Sequence, residues 1–196
     1  MHYLIYHLPG LQAPLLSPEV LDATERQAYA RRGERYLLER SLLKYELQRL
    51  SGIPAGEIRL SYSDLGKPEF AACHFNLSHS GDILCLGFHH APIGVDVEQV
   101  RPRVRMDAIA AHFMCPEQYA AWRGRGSSLR EFYACWCAAE AIIKQRGAAV
   151  WQAQRYPFLY RPEQGGSIEP CFAGAPAIEL FEPAEGYTGA VASAEV

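Results

Sequence analysis

Apolar residues recur along this chain in two rhythms, one suited to helices and one to strands. Residues 3–8 are mostly apolar and are closed by Pro9-Gly10, which predicts a short strand. Ser17-Pro18-Glu19 has a capping serine, a proline at the first helical position and an acid in the first turn, so a helix starts there. The helical pattern runs to about Leu50 with a break near Gly33. Its second part carries Leu37, Leu38, Leu42, Leu43, Leu47 and Leu50 on a broad apolar face, with Arg35, Arg40 and Lys44 outside it. Strand patterns follow at Ile58–Tyr62, Cys73–His79, Asp82–His89 and Ile93–Glu98, separated by turn residues such as Ser80-Gly81.

The second half has no sequence repeat of the first, but it too sets helical patterns beside short strands. Met106–Arg123 is helical with an interruption at Cys115-Pro116, and Leu129 to about Arg146 is a clean helix closed by Gly147. Short strands are expected near Ile168–Phe172, Ala177–Phe181 and Tyr187–Ser193. Two groups of strands, each beside helices, predict an α+β chain of two lobes.

Composition narrows the function classes. With Lys+Arg 19 against Asp+Glu 22, the formal charge is -3, which argues against general nucleic-acid binding. Cys73, Cys85, Cys115, Cys135, Cys137 and Cys171 show no C-x-x-C or Cys/His ligand spacing. Free thiols in a reducing cytoplasm are the expectation. Residues 1–8 lack a basic segment before a long apolar run, and no stretch approaches the ~20 residues of a membrane span, so neither a signal peptide nor a membrane segment is expected.

Three clusters have residues suited to chemistry. Asp96 and Glu98 in Ile93-Gly94-Val95-Asp96-Val97-Glu98 project to one strand face, with Val95 and Val97 on the other. Paired carboxylates repel unless a cation lies between them, and hard oxygen donors suit Mg²⁺. Trp136, Glu140 and Lys144 follow at i, i+4 and i+8 and line one helix face, where Glu140–Lys144 also reads as an ordinary surface pair. In Phe75-Asn76-Leu77-Ser78-His79-Ser80, neighbouring Ser78 and His79 face opposite ways, so a hydrolase triad is not indicated. A hydroxyl, an imidazole and a Ser-Gly turn suit phosphate contacts instead. Leu65-Gly66-Lys67-Pro68 adds a lysine on a turn.

Taken in order, Gly66-Lys67-Pro68, Phe75–Ser80, Ile93–Glu98 and Trp136–Lys144 resemble the 4'-phosphopantetheinyl transferases, specifically the longer single-chain class. A weaker match is Glu185-Gly186-Tyr187 before a small-residue strand. The resemblance implies two similar α+β lobes packed as a pseudo-dimer, divided here as residues 1–100 and 101–196, with coenzyme A between them. It implies a monomeric enzyme that moves the phosphopantetheine arm of coenzyme A to a serine of an acyl or peptidyl carrier protein, with Mg²⁺ as cofactor and 3',5'-ADP released.

Roles follow by position from the same resemblance. Asp96, Glu98 and Glu140 are the implied Mg²⁺ ligands and Lys144 the pyrophosphate contact. Ser78 and His79 meet the coenzyme's phosphates, Lys67 and Pro68 border the adenine, and Arg35 meets the 3'-phosphate, with Arg26, Arg31 and Arg32 as substitutes. Glu117 is a further acid near the metal, and the general base stays open between Glu140, Glu117 and water. Carrier docking is expected on Met106–Arg125, through Met114, Arg123 and Arg125, while Phe113 and Trp122 are expected to pack the second lobe.

Two features depart from the family pattern. The lysine usual before the motif glutamate is Ala139, and the glycine-rich stretch after the helix is Gly147-Ala148-Ala149-Val150-Trp151. A lysine stem at 139 would be expected to curl toward the cleft, so its absence predicts weakened coenzyme use and leaves a non-catalytic coenzyme-binding homologue as the alternative.

Overall fold

The computed structural model describes residues 1–194. β1 (His2–His7) is followed by two helices, α1 (Ala23–Arg32) and α2 (Glu34–Ser51). The chain breaks between them at Gly33, whose φ of 67° lies where only glycine is comfortable. The first helix begins later than Ser17 suggests. Ser17 caps only a short turn at Pro18–Val20, and Asp22 with Glu25 forms the capping box that starts α1.

The chain then forms β2 (Ser61–Tyr62), β3 (Pro68–Glu69), β4 (His74–Ser80), β5 (Ile83–His89) and β6 (Ile93–Gln99). The predicted strand at Ile58–Tyr62 shortens to its last two residues. Ile58 and Leu60 instead anchor a loop in the core. Next come α3 (Met106–Phe113), α4 (Pro116–Gly124), α5 (Leu129–Arg146), β7 (Phe158–Arg161), β8 (Ser167–Pro170), β9 (Ala177–Phe181) and β10 (Tyr187–Ser193). Pro116, which cannot continue the preceding helix, separates α3 from α4. The short pairs β2–β3 and β7–β8 lie outside the main sheets.

The fold is α+β. Each lobe has a three-stranded antiparallel sheet, ordered β1-β5-β4 in one and β6-β10-β9 in the other, and a long helix, α2 or α5. β6 precedes residue 100, yet it pairs with β10 from Ile93↔Ser193 to Gln99↔Tyr187, so by pairing it belongs with the second lobe. His90-Ala91-Pro92 links the two sheets.

Three apolar clusters hold this arrangement. Leu42, Leu43 and Leu47 of α2 pack on Phe75, Leu84, Leu86 and Phe88. α5 packs with Ala190 and Ala192 of β10 and with Phe113 and Trp122. Between the lobes, Ile83 and Cys85 of β5 meet Ile93, Val95 and Val97 of β6. Alternation explains this: even residues of β5 face α2, and odd residues face the other lobe. No described helix is long and apolar enough to cross a membrane.

The opposite face of β6 lies against α5. A side chain at Gly94 would overlap the carbonyl oxygen of Ala141 and stand 2.5 Å from the Gln145 nitrogen. This glycine therefore fixes how closely strand and helix approach, and through that the distance from Asp96 and Glu98 to Glu140 and Lys144. Removing chain entropy by Gly→Ala alone would stabilise by about 0.4–1 kcal/mol. Overpacking against backbone costs about 1–3 kcal/mol and outweighs it. Gly94→Ala should therefore lower the urea midpoint, and an unchanged or higher midpoint would show that the spacing is not set at this residue.

Candidate active site

β4 and β6 are the facing edge strands of the two sheets, and their backbones do not pair with each other. Side chains of β4 replace the missing ladder. Asn76 Oδ1 accepts from the Val95 amide at 2.9 Å, Ser78 Oγ from Val97 at 3.3 Å and Ser80 Oγ from Gln99 at 3.1 Å. Two-residue periodicity puts all three on one side of β4. Each serine hydroxyl also donates to a carboxylate, Ser78 to Asp96 Oδ1 at 2.8 Å and Ser80 to Glu98 Oε2 at 3.0 Å.

α5 closes the other side of this seam. Lys144 Nζ donates to Asp96 Oδ1 at 2.7 Å, to the Val95 carbonyl at 3.1 Å and to Ser78 Oγ at 3.3 Å. All three ammonium hydrogens are thereby used. Burial opposes the charge on Lys144, but Asp96 and Glu140 outweigh it and hold its pKa above the ordinary lysine value. Glu140 is raised, mainly by burial, with Asp96 and Glu98 adding repulsion and Lys144 partly offsetting it. Arg103 holds the second oxygen of Glu98 at 3.1 Å and lies over the rings of Tyr133 and Trp136.

Asp96, Glu98 and Glu140 are thus gathered at one helix–strand contact. Among the described residues, however, no three His, Cys, Asp or Glu side chains form a ready metal site. Lys144 occupies Asp96 Oδ1, whereas Asp96 Oδ2 is buried with no hydrogen-bond partner among the described residues. An orphaned carboxylate oxygen beside two further carboxylates fits a hard divalent cation.

The seam opens into a cavity of about 690 Å³ between the lobes, lined by Arg32, Arg40, Lys67, Pro68, Glu140 and Lys144 among others. Lys67 reaches across the lobes, donating from Nζ to the Lys144 carbonyl at 2.6 Å and so capping the last turn of α5. Burial lowers its pKa, with Glu69 opposing and Lys144 adding to the effect. Trp151, 75% exposed, and Leu65 border the cavity from opposite lobes.

The other sequence-predicted positions fall elsewhere. His79 points away from Ser78 toward α2, with Nδ1 3.7 Å from Glu39 Oε2. Burial lowers its pKa; Glu39 opposes this, and Arg32, Arg35 and Lys144 reinforce it. Arg35 does not line the cleft. It bonds Glu39 and the Gly81 carbonyl beside a separate cavity under residues 8–15, whereas its neighbour Arg32 does line the cleft. Glu117 is exposed at the start of α4, which is tied to β7 through Cys115 and Gln118, and it is outside the cleft.

Ala139 is 5% exposed within the core of the second lobe, so a lysine here would carry its charge into apolar packing rather than curl into the cleft. Met114 is likewise buried with Phe113 and Trp122, which removes it from any docking surface. Sequence reading missed the roles of Asn76, Ser80 and Arg103. The Asn-x-Ser-x-Ser alternation was the available signal for the first two.

Residues 92–185 match the family model described as the 4'-phosphopantetheinyl transferase superfamily. The chain is 28% identical over 193 residues to the 4'-phosphopantetheinyl transferase HetI of Nostoc sp., spanning 93% of this chain and 80% of the relative. It is also 28% identical over 192 residues to the transferase Sfp of Bacillus subtilis, spanning 91% and 82%. Over 141 residues it is 33% identical to AcpT of Salmonella typhimurium, spanning 69% of each chain.

The raised pKa of Glu140 makes a stability prediction. An acid whose folded pKa exceeds its unfolded value destabilises the fold once ionised, and that cost grows as pH rises through the folded pKa. In chelator, Glu140→Gln should therefore melt above the wild type at neutral pH. The difference should close as pH falls below the ordinary value of 4.5. A neutral-pH melting point below the wild type would show that Glu140 is held by favourable contacts instead.

Proposed function

The chain belongs to the 4'-phosphopantetheinyl transferase superfamily and is a transferase enzyme, and we propose that it moves the phosphopantetheine arm of coenzyme A to a serine of an acyl or peptidyl carrier protein, releasing 3',5'-ADP. The observation that carries this reading is the seam itself, where Lys144, the orphaned Asp96 oxygen and Glu140 meet at one end of a cation-lined cleft. Residues 1–92 and 93–194 serve as the two lobes in this proposal. A cytoplasmic location agrees with six free cysteines.

Asp96, Glu98 and Glu140 would hold Mg²⁺. Such an ion, when bound, neutralises charge on a pyrophosphate. Lys144 would exchange its longest contact, the one to Ser78 Oγ at 3.3 Å, for a pyrophosphate oxygen as negative charge grows on the departing 3',5'-ADP, a role suited to phosphoryl transfer, where positioning and charge compensation do most of the catalysis. Ser78 and Ser80 hold the two strand carboxylates in orientation, and Ser78 acts on the coenzyme through Asp96 rather than by direct contact. Glu140 is the better supported acceptor of the carrier serine's proton. It lines the cleft with a raised pKa, whereas Glu117 is exposed outside it. A non-catalytic homologue gains no support from Ala139, because that side chain packs in the core.

Carrier docking fits the exposed loop after β6. Arg101 and Arg105 are exposed there, Val104 is 88% exposed, and Glu98 lies just upstream. Cations around an apolar residue suit an acidic partner surface. The paired charge reversal Arg101→Glu and Arg105→Glu should raise the carrier KM about tenfold with kcat for coenzyme A retained. An unchanged KM would move docking to another face.

Mass spectrometry of a carrier protein incubated with the enzyme, coenzyme A and Mg²⁺ tests the reaction. Addition of one arm to the carrier is expected, with none after chelation. Lys144→Met should slow transfer by about 10²–10³-fold, the usual cost of one lost transition-state charge contact. Cleavage of coenzyme A without carrier modification would replace this reading with hydrolysis.

A further inference from the structure

β1 is an outer strand of the first-lobe sheet, at the opposite edge from β4 and the cleft, and no described strand lies beyond it. The Leu8 amide donates to the Asp82 carbonyl at 2.8 Å, which sets the phase of the β1–β5 ladder. In an antiparallel pair, successive residues bond alternately inward and outward. His2, Leu4 and Tyr6 therefore bond β5, and the N–H and C=O groups of Tyr3, Ile5 and His7 point outward. None of these outward groups has a hydrogen-bond partner among the described residues.

Free edges of monomers are normally blunted by charge, proline or a bulge. The outer strand of the second-lobe sheet follows that rule, since β9 contains Glu179 and is flanked by Pro176 and Pro183. β1 does not. His2-Tyr3-Leu4-Ile5-Tyr6-His7 has no Lys, Arg, Asp, Glu or Pro, and it pairs with β5 residue for residue without a bulge. Ile5 shares the face of Cys85, which is turned toward the second lobe, yet it remains 40% exposed.

We propose that this edge pairs antiparallel with the same edge of a second copy of this chain, joining two three-stranded sheets into one across a two-fold axis. The proposal departs from the monomer that the family resemblance implies and is independent of the reaction assigned to the cleft. An axis beside Ile5 sets Ile5 opposite the partner's Ile5 and Tyr3 opposite the partner's His7, so every outward N–H meets an outward C=O. On the α2 face the same register sets Leu4 against the partner's Tyr6, an aliphatic–aromatic cross-strand pair. It also carries Met1, 52% exposed, to the partner's Pro9 at the rim of the cavity of about 700 Å³ under residues 8–15.

Charge complementarity favours a second copy over another partner. Glu46 accepts from Tyr6 Oη at 3.2 Å, and Arg49 Nη2 lies 3.4 Å from His2 Nε2, so the two charges mark different levels along β1. The two-fold then orders the junction as Arg49, the partner's Glu46, Glu46 and the partner's Arg49. This row is neutral, and each guanidinium lies beside the other copy's carboxylate. Because β1 and β4 are opposite edges of one sheet, both clefts stay open.

The test is sedimentation of the full chain from about 1 to about 200 µM, with amide hydrogen exchange at both ends of that range. The wild type should pass from monomer to dimer, and the amides of Tyr3, Ile5 and His7 should slow with concentration while those of Leu4 and Tyr6 do not change. Ile5→Pro removes an N–H that the β1–β5 ladder does not use, so its melting point at low concentration should stay near the wild type, and its association should weaken at least about tenfold. Arg49→Glu, at an exposed site, should weaken association about three- to tenfold. If Ile5→Pro does not fold, the three amides and Arg49→Glu decide. A wild type that stays monomeric at the upper concentration overturns the proposal. So does a dimer that leaves these three amides unslowed, or one that a folded Ile5→Pro forms with full affinity.

Discussion

Everything in this molecule that bears on chemistry depends on how two sheet edges meet without pairing. β4 and β6 each present an unpaired edge, and three amides of β6 would lie unsatisfied against the first lobe. Each buried amide left without a partner costs about 1–3 kcal/mol. Asn76, Ser78 and Ser80 remove that cost with side-chain oxygens. A continuous backbone ladder would have served stability equally well, but it would have left no hydroxyls to hold Asp96 and Glu98. The side-chain ladder joins the lobes and orients the carboxylates with the same atoms, so seam and site cannot be separated.

That coupling explains why part of the site was legible in the sequence and part was not. Period-two alternation put Asp96 and Glu98 on one face of β6 and the valines on the other, and helical spacing put Glu140 and Lys144 on one face of α5. Both are local relations, and both hold in the fold. That these faces meet depends on Gly94, whose significance appears only when the Ala141 carbonyl is found against it. Likewise, the serines read as phosphate ligands because a hydroxyl is chemically suited to that task. Their engagement by β6 is a relation between strands that the sequence does not display.

The same reasoning accounts for the misplaced positions. The helix pattern of α2 identified Arg35 and Arg40 equally as polar residues beside an apolar face. Their fates diverge because Glu39 and the Gly81 carbonyl draw Arg35 outward, while Glu25 and Tyr36 draw Arg40 into the wall of the cleft. Ala139 looked like a lost cation because the family pattern it resembles has a lysine just before the motif glutamate. On a helix, one residue is a rotation of about 100°, enough here to turn a cleft-facing position into a core position. The α+β class and most element positions required only periodicity and caps. The residues that failed are those whose environment is set by a partner distant in sequence.

The interface between the lobes therefore combines two kinds of contact. Ile83, Cys85, Ile93, Val95 and Val97 form a dry apolar layer that holds the sheets together. Beside it lies a polar strip in which Lys144 neutralises Asp96, Arg103 neutralises Glu98, and Glu140 remains under-compensated. Apolar residues of similar volume in that strip would often be neutral or stabilising relative to buried ion pairs. The retained charges leave the strip only partly self-satisfied, with the Asp96 Oδ2 atom orphaned among the described residues. A ligand with several phosphates, together with a cation, complements Lys144 and that orphaned oxygen at once, which gives a physical reason for the cleft to remain open between two otherwise well-packed lobes.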